Sequence, residues 1–157
     1  MASSILKIIR IGEGIEKRGR AFYLRHAKRA TNPAVGQLFT FLAKQEAEHS
    51  VFLKRLEKEE QKKTGDVKFK ILVKKYRKLK KPQIFRGKLR EDAGDIEVII
   101  MSMNMERKSI EFYKRGKKLA KISAEKVFFQ RLVEFEEEHY EWLKDMLDNL
   151  TYAKIES

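Results

Sequence analysis

Apolar residues recur every three or four positions along four long stretches of this chain. The first, about residues 4–31, sets Ile5, Ile9, Gly12, Glu16, Gly19, Tyr23 and Ala27 in one stripe. The second, about 33–62, does so with Val35, Leu38, Leu42, Glu46, His49, Leu53 and Leu56. The third begins between Glu91 and Asp95 and carries Val98, Ser102, Met105 with Glu106, Ser109, Phe112 with Tyr113, and Leu119. The fourth, about 124–152, carries Phe128, Leu132, Phe135 with Glu136, His139, Leu143, Met146 and Leu150. Such spacing gathers residues on one face of an α-helix, and an apolar face is buried against a neighbour. The punctuation agrees. Asn32 can cap the second helix, and Pro33 suits its first turn. Thr64-Gly65 ends that helix. Acidic residues open the third, where the helix dipole favours them, and Ser123 can cap the fourth.

A short turn joins the first helix to the second, and another joins the third to the fourth; short joins make antiparallel hairpins. Hairpin 1 spans about 4–62, hairpin 2 about 91–152, and residues 63–90 connect them. A helix of about 28 residues is about 42 Å long, and the connector is long enough to run back beside it. Eight Gly and two Pro leave few places for tight turns, which favours long helices over a many-stranded sheet. The expected architecture is all-α, a single domain over residues 1–157, built as a four-helix bundle of two antiparallel hairpins with one long crossover.

Four acids and two histidines interrupt the apolar stripes, and they repeat. At an offset of 90 residues Glu16 falls on Glu106, Phe22-Tyr23 on Phe112-Tyr113, Glu46 on Glu136 and His49 on His139. Leu42 with Leu132 and Leu53 with Leu143 coincide as well, so the two hairpins are copies of one unit. Burying four carboxylates together is costly without cations, and their pKa values would rise until most were neutral. A pair of divalent metal ions resolves this. A Glu from each of two helices, with Glu-x-x-His from each of the other two, is the pattern of di-iron and di-manganese carboxylate bundles. Carboxylates are hard oxygen donors that can bridge two ions, and imidazole suits iron and manganese. One Glu-x-x-His alone says little. The competing explanation is a bundle that keeps a polar core without metal, and the duplicated spacing weighs against it.

On these residues the chain resembles the rubrerythrin branch of the ferritin-like superfamily. The resemblance rests on Glu16, Phe22-Tyr23 and Glu46-x-x-His49 with their second copy, and it covers both hairpins. It implies a ferritin-like bundle holding two iron ions, or manganese, through Glu16, Glu46, His49, Glu106, Glu136 and His139. It also implies reduction of hydrogen peroxide or dioxygen, with iron oxidation and handling of the ferroxidase type as the alternative. Tyr23 and Tyr113 match family tyrosines that hydrogen-bond to the ligand shell; a plain core aromatic is the other reading of each. Bundles of this superfamily commonly pair, so a homodimer is expected. Two features depart from the pattern. Typical rubrerythrins carry a further Glu one turn after the lone Glu of the third helix, where this chain has Ser109. They also carry a cysteine-ligated rubredoxin domain, and this chain has no cysteine, so an external electron donor, rubredoxin-like or other, is implied.

Composition narrows the remaining choices. The absence of cysteine excludes disulfides, thiolate metal sites and thiol catalysis from this chain. No apolar run approaches the roughly 20 residues that span a bilayer, and the N-terminal run lacks the apolar core of a secretory signal. No membrane association and a cytoplasmic location are therefore expected. The formal charge of +13 is concentrated, since residues 67–90 hold eleven Lys and Arg and no acid. Phe69, Tyr76 and Phe85 lie among them, a composition that could bind nucleic acid. The favoured reading is a crossover whose apolar residues cover the bundle while its lysines face water; an oligomer contact is a third use. Glu13 is a candidate auxiliary carboxylate one turn before Glu16, and His26 reads as an ordinary helix histidine. Glu48 and Glu138 are expected to face solvent or a subunit contact, and Trp142 to serve the core or an interface.

Overall fold

The computed structural model describes residues 4–62 and 93–156, which form α1 (Ser4–Arg29), α2 (Pro33–Gln61), α3 (Ala93–Leu119) and α4 (Ser123–Glu156). The connector expected over 63–90, with its basic run, lies outside the described residues.

Local chemistry fixes the helix ends. Ala30 N–H reaches the His26 carbonyl at 2.9 Å and closes α1. The Asn32 side chain accepts from Ala34 N–H at 2.9 Å, and Pro33 takes the first helical position. α1 stops short of the expected Thr31 because Asp95 takes that turn. Thr31 donates to Asp95 from its backbone N–H and its hydroxyl, each at 3.3 Å, and Asn32 N–H donates at 2.9 Å. An acid in the first turn of α3 thus fastens the α1–α2 turn to the second hairpin. Ser123 lies inside α4 rather than capping it, since Lys126 N–H reaches back to the Ile122 carbonyl at 3.2 Å. α4 also continues past Tyr152 to Glu156.

Two apolar clusters give the bundle its direction. At one end Ile9 and Leu56 pack with Ala120 and Phe128. At the other Val35 and Leu38 pack with Ile99, Leu143 and Leu150. The start of α1 therefore meets the end of α3, and the start of α2 meets the end of α4, so both pairs run antiparallel. Lys62 and Ala93 consequently sit at opposite ends of the bundle, as a long crossover requires. The stripes expected of α2 and α4 are buried throughout. Leu119 is the exception in α3, at 55% exposure. Six residues past Tyr113 it has turned away from the core, and Gly116 and Ala120 continue the buried face.

Candidate metal centre

Between the two apolar clusters lies a polar layer. Glu16, Glu46, His49, Glu106, Glu136 and His139 meet there, and none is more than 4% exposed. Each sits mid-helix on the stripe that faces the bundle axis, so burial of the apolar ends forces these six side chains together. His49 Nδ1 lies 3.5 Å from Glu16 Oε2 and 3.7 Å from Glu136 Oε1. His139 Nδ1 lies 3.0 Å from Glu46 Oε1, 3.4 Å from Glu106 Oε1 and 3.3 Å from Glu136 Oε2. The two imidazoles stack, with centroids 5.2 Å apart.

Besides a smaller group of Glu46, His49 and His139, the donor atoms form two overlapping four-residue sets that could each hold a metal ion. One is Glu16, Glu46, His49 and Glu136; the other is Glu46, Glu106, Glu136 and His139. Within each set the atoms lie within 4.8 Å of one another, and Glu46 and Glu136 belong to both.

The tyrosines cross between the copies. Tyr113 OH donates to Glu16 Oε1 at 2.6 Å, and Tyr23 OH donates to Glu106 Oε1. Each phenol is pushed well above its ordinary pKa, first by burial and then by the charge of the carboxylate it binds. Both therefore remain donors. The antiparallel pairing of α1 and α3 produces this exchange, because it lays each Tyr beside the other copy's lone Glu. Glycines make room for the layer. A Cβ on Gly19 would lie 2.9 Å from Glu46 Oε2, and one on Gly12 would lie 3.2 Å from Tyr113 Cε1.

Electrostatics split the four carboxylates into two kinds. Burial, then the charge of neighbouring carboxylates, holds Glu46 and Glu136 well above the ordinary carboxylate range. Burial pushes Glu16 and Glu106 upward too. For Glu16 the Glu46 carboxyl and the His49 imidazole beside it outweigh burial; for Glu106 the Glu136 carboxyl and His139 do so, and both end below the ordinary value. Without a cation, protons are held more readily on Glu46 and Glu136 than on Glu16 and Glu106.

Even so, many polar atoms find no partner. Glu16 Oε2, Glu46 Oε1, both Glu136 oxygens and both ring nitrogens of His49 and of His139 are buried without a hydrogen bond. Each such atom costs about 1–3 kcal/mol. Oxygen and imidazole donors left bare and convergent fit a pair of divalent cations.

The rubrerythrin family model matches residues 8–147, a span that contains all six of these side chains. The chain belongs to the rubrerythrin family. No curated protein and no solved structure matches it. The four helices are consistent with the family's ferritin-like bundle.

Several other candidates stand apart from the layer in this rubrerythrin-family chain. Ser109 Oγ donates to the Met105 carbonyl of its own helix at 3.2 Å. Glu13 pairs with Glu57 of α2; burial, and then Glu57, push its carboxyl up to about 7. His26 packs its ring on Phe22, with centroids 4.4 Å apart. Burial, then Arg25 and Arg29, lower its pKa. Glu48 is half-buried, and Gln45 Nε2 donates to it at 3.4 Å. Glu138 and Trp142 border a surface cavity. Asp95, Gly12 and Gly19 do structural work that helical periodicity could not assign. Only the coincidence of Gly12 with Ser102 and of Gly19 with Ser109 in the repeat marks two of those positions as needing small residues. No helix among the described residues is long and apolar enough to cross a membrane.

Proposed function

We propose that this chain is a non-haem di-iron, or di-manganese, redox protein that reduces hydrogen peroxide or dioxygen with electrons from an external donor. The observation that carries this reading is the set of bare, buried oxygen and nitrogen atoms converging from all four helices. Glu16, Glu46, His49 and Glu136 would hold one ion. Glu46, Glu106, Glu136 and His139 would hold the other, with Glu46 and Glu136 shared. A metal pair bound there supplies the electrons and the Lewis acidity that peroxide reduction needs.

The chain's own residues prepare that chemistry. The apolar clusters on either side exclude water from the layer. Tyr113 and Tyr23 keep protons on their phenolic oxygens and fix the orientation of Glu16 and Glu106. Glu46 and Glu136 are the groups that must release protons as cations bind. These residues hold no cysteine to ligate an electron-feeding iron site of their own, so the reading takes an external donor. The expected homodimer follows from the family likeness and is tested by sedimentation. The nucleic-acid reading concerns residues 67–90, which lie outside the described part of the chain.

The test is peroxide turnover by iron-loaded protein supplied with a reductant. Sustained consumption that disappears in Glu46→Ala and Glu136→Ala supports the proposal. Rapid ferrous oxidation without turnover indicates the ferroxidase alternative. Uptake of fewer than one metal ion per chain after iron loading contradicts both.

A further inference from the structure

A column of rings runs from the polar layer to the surface. Phe135 stacks on His49 with centroids 4.8 Å apart, His49 on His139 at 5.2 Å, and His139 meets Trp142 at 5.8 Å. Phe41 supports Trp142 from α2 at 5.1 Å. His139 is 1% exposed and neither of its ring nitrogens has a hydrogen-bond partner. Trp142, directly in front of it, is half-buried and walls a cavity of about 310 Å³ with Glu134, Glu137, Glu138 and Glu141.

Of the four carboxylates that wall the cavity, Glu134 is paired with Arg131, whose guanidinium also lies 5.4 Å over the Phe135 ring. The other three, Glu137, Glu138 and Glu141, form no ion pair with any basic side chain among the described residues. Carboxylates alone would be a solvated face. Here they surround the ring that packs against His139, a buried histidine whose Nδ1 lies 3.0 Å from Glu46 Oε1 in the layer. On a chain of formal charge +13, such a face is also the place where a positive partner is drawn in rather than repelled.

We propose that Trp142 and the acidic groove around it are the docking surface for the external electron donor, and that this donor is a one-electron metalloprotein with a basic face around its redox group. The proposal rests on the redox reading above. In each encounter the donor loses one electron and the layer's metal pair gains it; no atom or proton crosses the groove. Two encounters return a doubly oxidised pair to its reduced state.

Trp142 is the chain's one tryptophan, so tryptophan fluorescence reports on this groove alone. At low salt, hexaamminecobalt(III) is expected to quench it severalfold more efficiently than iodide. The combined variant Glu137→Gln, Glu138→Gln, Glu141→Gln is expected to bring the two quenchers close to parity. In iron-loaded protein, reduction by hexaammineruthenium(II) should slow severalfold in that triple variant and in Trp142→Leu, with Trp142→Phe restoring much of the rate. Reduction by uncharged hydroquinone should be unchanged in the triple variant. Equal quenching by the two ions, or ruthenium reduction indifferent to both the glutamines and Trp142→Leu, overturns the docking surface. Failure to load iron instead overturns the redox reading, and the quenching comparison, made on metal-free protein, keeps the two failures distinct.

Discussion

Gly19 faces Glu46 across the α1–α2 contact with no room for a side chain. In Gly19→Ala the new Cβ would sit 2.9 Å from Glu46 Oε2 and 3.3 Å from its Cδ. Ordinary contact begins near 3.4 Å, so the carboxylate must withdraw by about 0.5 Å. The same methyl favours the helix, because alanine inside a helix is worth up to ~1 kcal/mol over glycine. In metal-free protein the Glu46 carboxyl is the far end of a flexible side chain and can turn. The net change in stability should then lie between zero and ~1 kcal/mol in favour of alanine, or at most about 2–4 °C in Tm for a chain of this size. Metal binding should respond in the opposite direction. Glu46 belongs to both donor sets, so turning it weakens both ions together, by about 10–100-fold on the scale of altered ligand positioning. Thermal unfolding of chelated protein and calorimetric titration with iron or manganese measure the two effects separately. Affinity equal to the parent's would refute Glu46 as a shared donor. Loss of stability in the chelated variant would show that Gly19 serves packing rather than the centre.

Three further outcomes follow from the same layer and its surroundings. Tyr113→Phe removes the donor to buried Glu16, and Tyr23→Phe the donor to Glu106; each should lower the chelated protein's unfolding free energy by about 1–3 kcal/mol in denaturant titrations. Glu46 and Glu136 are raised in the folded, metal-free chain, so their stabilising contribution is complete below the ordinary carboxylate range and is lost as pH rises through the raised values. The same protons must leave when cations bind, so metal affinity should fall as pH falls, and binding heats should depend on the buffer's ionisation enthalpy. Glu13, raised by burial and then by Glu57 from 4.5 to about 7, lowers stability as pH climbs between those values; Glu13→Gln should therefore raise Tm relative to the parent at pH 8 and leave it unchanged at pH 4.

Much of the site was legible because two periodicities coincide in this chain. The 3–4 stripe points Glu46 and His49 inward, and the 90-residue repeat supplies Glu136 and His139 in the same phase. Burial of all six side chains bears out that inward orientation. The rest depended on how helices meet, which a stripe does not encode. The exchange of Tyr23 and Tyr113 between copies needs α1 and α3 antiparallel and in register. The pairing of Glu13 with Glu57 needs the register of α1 on α2. Asp95 reads in the sequence as an ordinary acid at a helix start, and only tertiary contact makes it the partner of Thr31 and Asn32. Leu119 is apolar yet exposed, because Gly116 and Ala120 hold the inward phase and Gly116 gives its space to the Phe129 ring.

Anomalous diffraction from crystals of the iron- or manganese-loaded protein tests the central claim most directly. Two metal peaks per chain are expected. One should be bound by Glu16, Glu46, His49 and Glu136 and the other by Glu46, Glu106, Glu136 and His139, with Glu46 and Glu136 between them. A polar layer that stays free of metal after loading, or metal bound only at other residues, would contradict it.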